Sequence, residues 1–218
     1  MNLDLHHFFI LVEPGAKVAD LLVSLGMQEG PGNTHAGQGT SNRRFYFSNG
    51  MLEFLWVHDA EEAINGPGRE LFFAERANDQ TASPFGVILN RKDNATLNMP
   101  FEGWKYLPDY FDPHLDPPWS FHVGANSSNL LEPLCIYVPF VEPQSSTAKN
   151  VKGEFKSISQ VQIYTPSEPL SNVLSVVDEV DRLSINYGDQ HLMEITFDNK
   201  QCGCCQDLRP DIPLIVHW

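Results

Sequence analysis

Apolar and polar residues alternate along residues 5–12, Leu-His-His-Phe-Phe-Ile-Leu-Val, a segment rich in strand-favouring side chains. It predicts a first strand, which Glu13-Pro14-Gly15 breaks. Val18, Leu21, Leu22 and Leu25 then recur at helical spacing, and Gly26 ends that helix. A Gly-rich loop is expected from Gly30 to Gly39, preceded by a short strand near Met27–Gln28. Arg43–Phe47 and Met51–Val57 read as two strands joined at Ser48-Asn49-Gly50, where Asn-Gly signals a hairpin. The order is β-α-β-β.

The last third repeats part of this pattern. Residues 157–164 alternate as a strand, and Pro166 and Pro169 bracket a turn into a helix with Leu170, Val173, Leu174 and Val177 on one face. Leu183–Tyr187, His191–Phe197 and Pro213–Trp218 read as strands, with Asn186-Tyr187-Gly188-Asp189 as a turn. Between these regions, residues 84–89, 120–124 and 133–138 look like strands, and an aromatic, proline-laden loop spans Pro100–Trp119. Residues 142–153 are polar and form the best linker candidate. Strands outnumber helices.

Strand parity singles out four positions. Side chains alternate across a strand, so Phe8, Ile10 and Val12 oppose His7, while Leu52, Phe54 and Trp56 oppose Glu53. Likewise Val161 and Ile163 oppose Gln160, and Met193, Ile195 and Phe197 oppose Glu194. In each strand the apolar face suits a covering helix and the ligand-capable residue projects from the other. Carboxylates among apolar neighbours are costly to desolvate, and two brought together repel unless a cation lies between them. A divalent ion held by His7, Glu53, Gln160 and Glu194 resolves both problems. One nitrogen and three oxygens suit a borderline or hard ion with positions left for water or substrate.

Composition narrows the class. The chain has 218 residues and a hydrophobic fraction of 42%, enough for one sizeable core. A formal charge of -14 argues against nucleic acid, which needs a basic footprint, and against anionic membranes. No stretch approaches a membrane span and no signal peptide is visible, so a cytoplasmic protein is expected. Cys202, Cys204 and Cys205 crowd one segment, but not at zinc-site spacing, and read as a thiol-rich surface loop; Cys135 reads as core.

The order of these segments resembles the vicinal oxygen chelate superfamily, the fold of glyoxalase I, extradiol dioxygenases, and fosfomycin and bleomycin resistance proteins. The run from His35 through Gly37-Gln38-Gly39-Thr40 to Arg43, Arg44 and Phe45 resembles, more specifically, a glyoxalase-like branch, as does the ending from Asp207 to Leu214. The resemblance implies an α+β fold of paired βαβββ modules forming a cupped mixed sheet. Its parts would be an N-terminal module over 1–60, a middle insertion with additional strands over 61–152 and a C-terminal module over 153–218, in one integrated domain. It implies His7, Glu53, Gln160 and Glu194 as ligands of a divalent ion (Zn, Ni, Mn, Co or Fe). Glu194 or Glu53 would move a proton in enediolate chemistry, as in an isomerase or lyase.

Two alternatives share the fold. An iron dioxygenase needs two His and one carboxylate, which His7, His122 and Glu194 supply, and His191 is a further rival ligand. A metal-free binding or resistance protein needs only the cup. Members of the superfamily also complete sites by exchanging modules in a homodimer. Substrate contacts are expected from Arg43 or Arg44, which face opposite sides of one strand, and from His35, Trp104 and His122. The Gly37–Thr40 loop offers backbone N–H groups to an anion. Among Trp104, Tyr106, Tyr110, Phe111 and Trp119, one or two are expected to wall the pocket and the rest to form core.

Overall fold

Strand β1 (Leu3–Leu11) lies at the centre of the larger of two sheets in the computed structural model, which describes residues 2–93, 99–112, 114–115, 118–143 and 153–218. Its last four residues, 8–11, are apolar on both faces, as a strand segment covered on both sides must be. Leu3, Leu5, Phe8 and Ile10 enter one core, and Phe9 and Leu11 enter another. The change from odd to even positions on the first face is made by a bulge between Leu5 and His7. Without that extra residue, one half of the strand would present its polar face to the core.

After β1 come α1 (Val18–Ser24), β2 (Glu29–His35), β3 (Thr40–Phe47) and β4 (Gly50–Val57). β4 lies parallel to β1, and β3 and β2 follow antiparallel, giving the expected βαβββ module. The Gly-rich segment departs from expectation: most of it is β2 rather than loop. As an edge strand paired only with β3, it tolerates Pro31 and a register shift between Gly30 and Asn33.

Short helices α2 (Ala60–Asn65) and α3 (Phe73–Asn78) lead to β5 (Phe85–Arg91), β6 (Gly103–Tyr106), β7 (Phe121–Gly124) and β8 (Leu134–Tyr137). β5 runs antiparallel to β1, and β8 lies parallel to β5 as β4 does to β1. The eight-stranded order β2-β3-β4-β1-β5-β8-β7-β6 is therefore pseudo-two-fold. Gly86 permits the central pairing, since a Cβ there would sit 2.0 Å from the Phe9 ring. The strands that complete the cup thus come from the middle of the chain, which corrects the expected pairing of amino- and carboxyl-terminal segments.

The carboxyl-terminal segment forms its own five-stranded sheet. β9 (Ile158–Thr165), α4 (Asn172–Val177), β10 (Leu183–Tyr187), β11 (Leu192–Phe197), β12 (Cys205–Asp207) and β13 (Leu214–His217) assemble in the order β10-β9-β11-β13-β12. Val161, Ile163, Met193, Ile195 and Val216 pack with α1, α4 and the convex face of the first sheet in one core. Asn49 ties the layers: its amide donates to the Ile158 carbonyl at 2.8 Å and accepts from the Ile158 N–H at 2.8 Å. Most of the candidate linker, 144–152, lies outside the described residues. Among the described residues no helix is long and apolar enough to cross a membrane.

Two buried charged side chains lock the segment before β8 in place. Arg76 donates to the carbonyls of Glu132 (2.8 Å), Ser83 and Ser127 (both 3.1 Å), Leu130 (3.3 Å) and Asn129 (3.4 Å). Glu132 accepts from Asn126, from the Ser167 hydroxyl, and from both the N–H and hydroxyl of Ser171. Arg76→Met removes the side-chain donor from five carbonyls, of which those of Ser83, Ser127 and Glu132 are buried contacts, and chemical denaturation is expected to show a loss of about 3 kcal/mol. A loss within 0.5 kcal/mol of zero, the ordinary range for a surface substitution, would contradict a structural role for this cage.

Candidate functional site

The concave face of the larger sheet holds a cavity of about 250 Å³. Its polar wall comes from the first module. His7 projects from β1 and Glu53 from β4, with Asn33 and His35 from β2, Arg44 from β3 and Gln38 from the following turn. The β1 bulge places His6 there as well, its Nδ1 2.7 Å from Nδ1 of His7, so one ring donates to the other. The remaining wall is apolar: Phe9, Leu55, Leu71, Phe73, Ile88, Phe121 and Ile136 face the same space.

Arg44 and Glu53 are direct partners across the β3–β4 ladder. Cross-strand partners share a face with Cβ atoms close together, so each lies in the other's field. Arg44 Nε donates to the Pro31 carbonyl at 2.7 Å, Nη2 donates to Gly32 at 3.3 Å, and the guanidinium lies 5.8 Å from the Tyr46 ring centroid. Arg43, one residue earlier, points outward into ion pairs with Glu29 at 2.6 Å and Asp20 at 2.9 Å. Parity thus decides between them: Arg44 is the cup residue, and Arg43 anchors α1 and β2.

Burial dominates the titration of this wall. Glu53 is 7% exposed, and burial pushes its carboxyl up to about 7, against the opposing pull of Arg44 and the Asn42 side chain. Burial holds His7 well below its ordinary value, helped by His6, His35 and Arg44. His35 is driven down to about 4 by burial, Arg44 and His58. Both imidazoles are therefore neutral near pH 7, where Glu53 is divided between acid and carboxylate.

The turn after β2 is fixed from outside the cup. The Glu62 carboxylate accepts from the N–H groups of Gly37 at 2.7 Å and Gly39 at 2.9 Å. These N–H groups are therefore spent on Glu62, contrary to the expectation that they receive a ligand anion. His35 Nδ1 is 3.0 Å from the Thr40 hydroxyl, which also accepts from Gln38 Nε2 at 3.1 Å. Tyr110 closes this side, with its ring centroid 5.4 Å from that of His35. Of the aromatic loop, Tyr110 lines the cavity, whereas Phe111 and Trp119 pack with Phe140.

Several expected residues lie elsewhere. Gln160 and Glu194 sit on the outer face of the five-stranded sheet, beyond the shared core, where Gln160 is exposed and Glu194 accepts from His217 Nε2 at 3.0 Å. The alternation of these strands is as expected, but their apolar face covers the convex side of the first sheet, not the cup. His122 points away from Phe121 and Val123, stacks on Phe101 and bonds its carbonyl at 2.8 Å. Trp104 donates to the Ser127 hydroxyl at 3.2 Å, and His191 lies 3.0 Å from the Thr81 carbonyl. The set His7, His122 and Glu194 is not assembled. Cys135 is buried, and Cys202, Cys204 and Cys205 are exposed.

Residues 5–103 match the family model of the glyoxalase-like domain. The segment that builds β1 to β5 is thus similar to a glyoxalase-like domain. No curated protein matches the chain. A hypothetical protein from Staphylococcus aureus superposes with a TM-score of 0.57 at 15% identity, over 98% of each chain, which shows the fold. A hypothetical protein from Bacillus halodurans is similar at 14% identity over 67% of this chain and 100% of its own, with a TM-score of 0.41. A variant 4-hydroxymandelate synthase from Streptomyces coelicolor is similar at 13% identity over 98% of this chain and 62% of its own, with a TM-score of 0.46. The fold likeness rests on the first of these.

The cup does not offer the four-ligand set expected from resemblance. His7 and Glu53 face it from the first module, but on β5 and β8 the cavity is lined by Ile88 and Ile136, which have no donor atom. Among the described residues, no group of three or more His, Cys, Asp or Glu is arranged to hold a metal ion. Sequence reasoning missed His6, Asn33 and the two isoleucines. The bulge that brings in His6 is visible only as a break in parity.

Glu53 gives the protein a testable pH signature. Its folded value of about 7 lies above the ordinary 4.5, so the native state binds the extra proton between them. Stability therefore falls as pH rises through that window, and the penalty is complete above it. Glu53→Gln should be more stable than the parent by on the order of 3 kcal/mol in mildly alkaline buffer, with the difference shrinking towards pH 4. The lowered values of His7 and His35 act the other way, costing stability below the ordinary His value, and largely cancel between the two proteins. Equal pH profiles in denaturant titrations would contradict the assignment.

Proposed function

We propose that the protein is a small-molecule enzyme of the isomerase or lyase type, in which Glu53 moves a proton on a ligand whose oxygen Arg44 holds. The observation that carries this reading is the Arg44–Glu53 pair, opposed across two strands on the cavity wall. A carboxyl poised near neutrality is present as both base and acid, which suits proton transfer at carbon. Abstraction beside a carbonyl places negative charge on the oxygen, and a fixed guanidinium stabilises that charge most when it has fully developed. The two backbone carbonyls that accept from Arg44 fix its position before ligand arrives.

Neutral His7 offers a hydrogen-bonding group beside this path, its ring oriented by His6. The chemistry matches what the resemblance implies for a divalent-metal enzyme, with Arg44 supplying the positive charge. The donor set does not support a four-ligand ion. Glu194, outside the cup, has no part in the transfer. Binding without turnover is a second reading, favoured by the wholly apolar contribution of Ile88 and Ile136 to the opposite wall.

Exchange of carbon-bound hydrogen in heavy water tests the proposal, followed by proton NMR on a panel of 2-oxo acids and α-hydroxy ketones. The expected result is protein-dependent loss of the signal beside the carbonyl, slowed on the order of a hundredfold or more by Glu53→Gln. Exchange no faster than with heat-inactivated protein across the panel favours binding alone. Exchange that survives Glu53→Gln unchanged refutes the role of that residue.

A further inference from the structure

We infer that the cup selects a ligand with one negative charge and one flat apolar ring, the anionic oxygen on Arg44 and the ring between Phe9, Phe73, Ile88 and Ile136. This deepens the proposed function and rests on its reading of the cup as the ligand site. The charge inventory sets the first half. Among the described residues, Arg44 is the one Lys or Arg lining the cavity and Glu53 is the one acid. Arg43 pairs with two carboxylates, whereas among the described residues the bonds of Arg44 go through Nε and Nη2 to neutral carbonyls.

A single guanidinium matches a carboxylate or enolate, while a phosphate dianion calls for further cations or a helix end. The other polar side chains lining it, His6, His7, Asn33, His35, Gln38 and Tyr110, supply hydrogen bonds, and burial holds His7 and His35 neutral near pH 7. They orient an oxygen but do not balance a second negative charge. The negative balance of the whole chain works against anions in general, so attraction depends on this local cation.

Shape sets the second half. The Phe9 and Phe73 rings meet edge to face at 5.8 Å, and Ile88 and Ile136 continue the surface on β5 and β8. Such a wall receives a flat apolar body and offers no partner to a polar one, which would pay for its desolvation. At about 250 Å³ the cavity lies below the usual range of drug-sized pockets, roughly 300–1,000 Å³. That volume suits a single ring with a short acidic arm.

Calorimetric binding of three probes to the full-length protein in mildly acidic buffer tests the inference. Phenylacetate carries ring and charge, phenylacetamide the ring alone, and acetate the charge alone. Phenylacetate is expected to bind at least about tenfold more tightly than either. Arg44→Gln should remove most of that preference and leave phenylacetamide within about twofold, while Ile88→Asn should weaken both ring-bearing probes. Equal affinity for phenylacetate and its amide, equal affinity for acetate, or no phenylacetate binding overturns the inference; the parent protein alone decides these, whether or not a variant folds. Carbon-hydrogen exchange dependent on Glu53 with no phenylacetate preference overturns the ligand class and leaves the proton-transfer reading intact. Phenylacetate selectivity without exchange does the reverse.

Discussion

Burial of β1 on both faces is the constraint on which the rest of the molecule depends. Its convex face, Leu3, Leu5, Phe8 and Ile10, needs a cover, and the five-stranded sheet with α1 and α4 supplies it. Its concave face, Phe9 and Leu11, continues into a second core that β5 and β8 complete. A hydrophobic strand so placed cannot slip by one residue without turning a whole set of side chains to the wrong side. The bulge before His7 reconciles the two halves of the strand with that rule. It also delivers two consecutive imidazoles to the cup, linking the packing requirement to the chemistry.

The polar wall is permitted by the same arrangement. Glu53 follows Leu52 and precedes Phe54, both fully buried on the opposite face, so its own direction is fixed by neighbours that cannot turn. Leaving a carboxylate there costs desolvation free energy, offset in part by Arg44 and Asn42. Such a residue is costly for stability and useful for proton transfer. The apolar second module intensifies the effect by lowering the local polarity around the same carboxyl.

Much of this was legible in the sequence because it depends on local parity. β1, α1, the hairpin at Asn49-Gly50 and the strands β9 to β11 follow from alternation, helical spacing and turn residues. The opposite destinations of Arg43 and Arg44 follow from adjacency on a strand. Long-range pairing was not legible, because β5 and β9 each offer an apolar face and nothing local says which one meets β1. Gln160 and Glu194 were therefore placed on the correct face of their own strands and assigned to the wrong side of the molecule. β2 was hidden by its glycines, whose room is filled by neighbours such as the Tyr46 ring over Gly30. Ile88 and Ile136 gave no chemical signal, although they reshape the site by having no donor.

The most direct measurement is the titration of the Glu53 carboxyl itself, followed by carbon NMR in the parent protein and in Arg44→Gln. The account predicts a midpoint of about 7 in the parent and a higher one without the guanidinium, because the cation favours the carboxylate. A midpoint in the ordinary carboxylate range, or one that Arg44→Gln leaves unmoved, would contradict it.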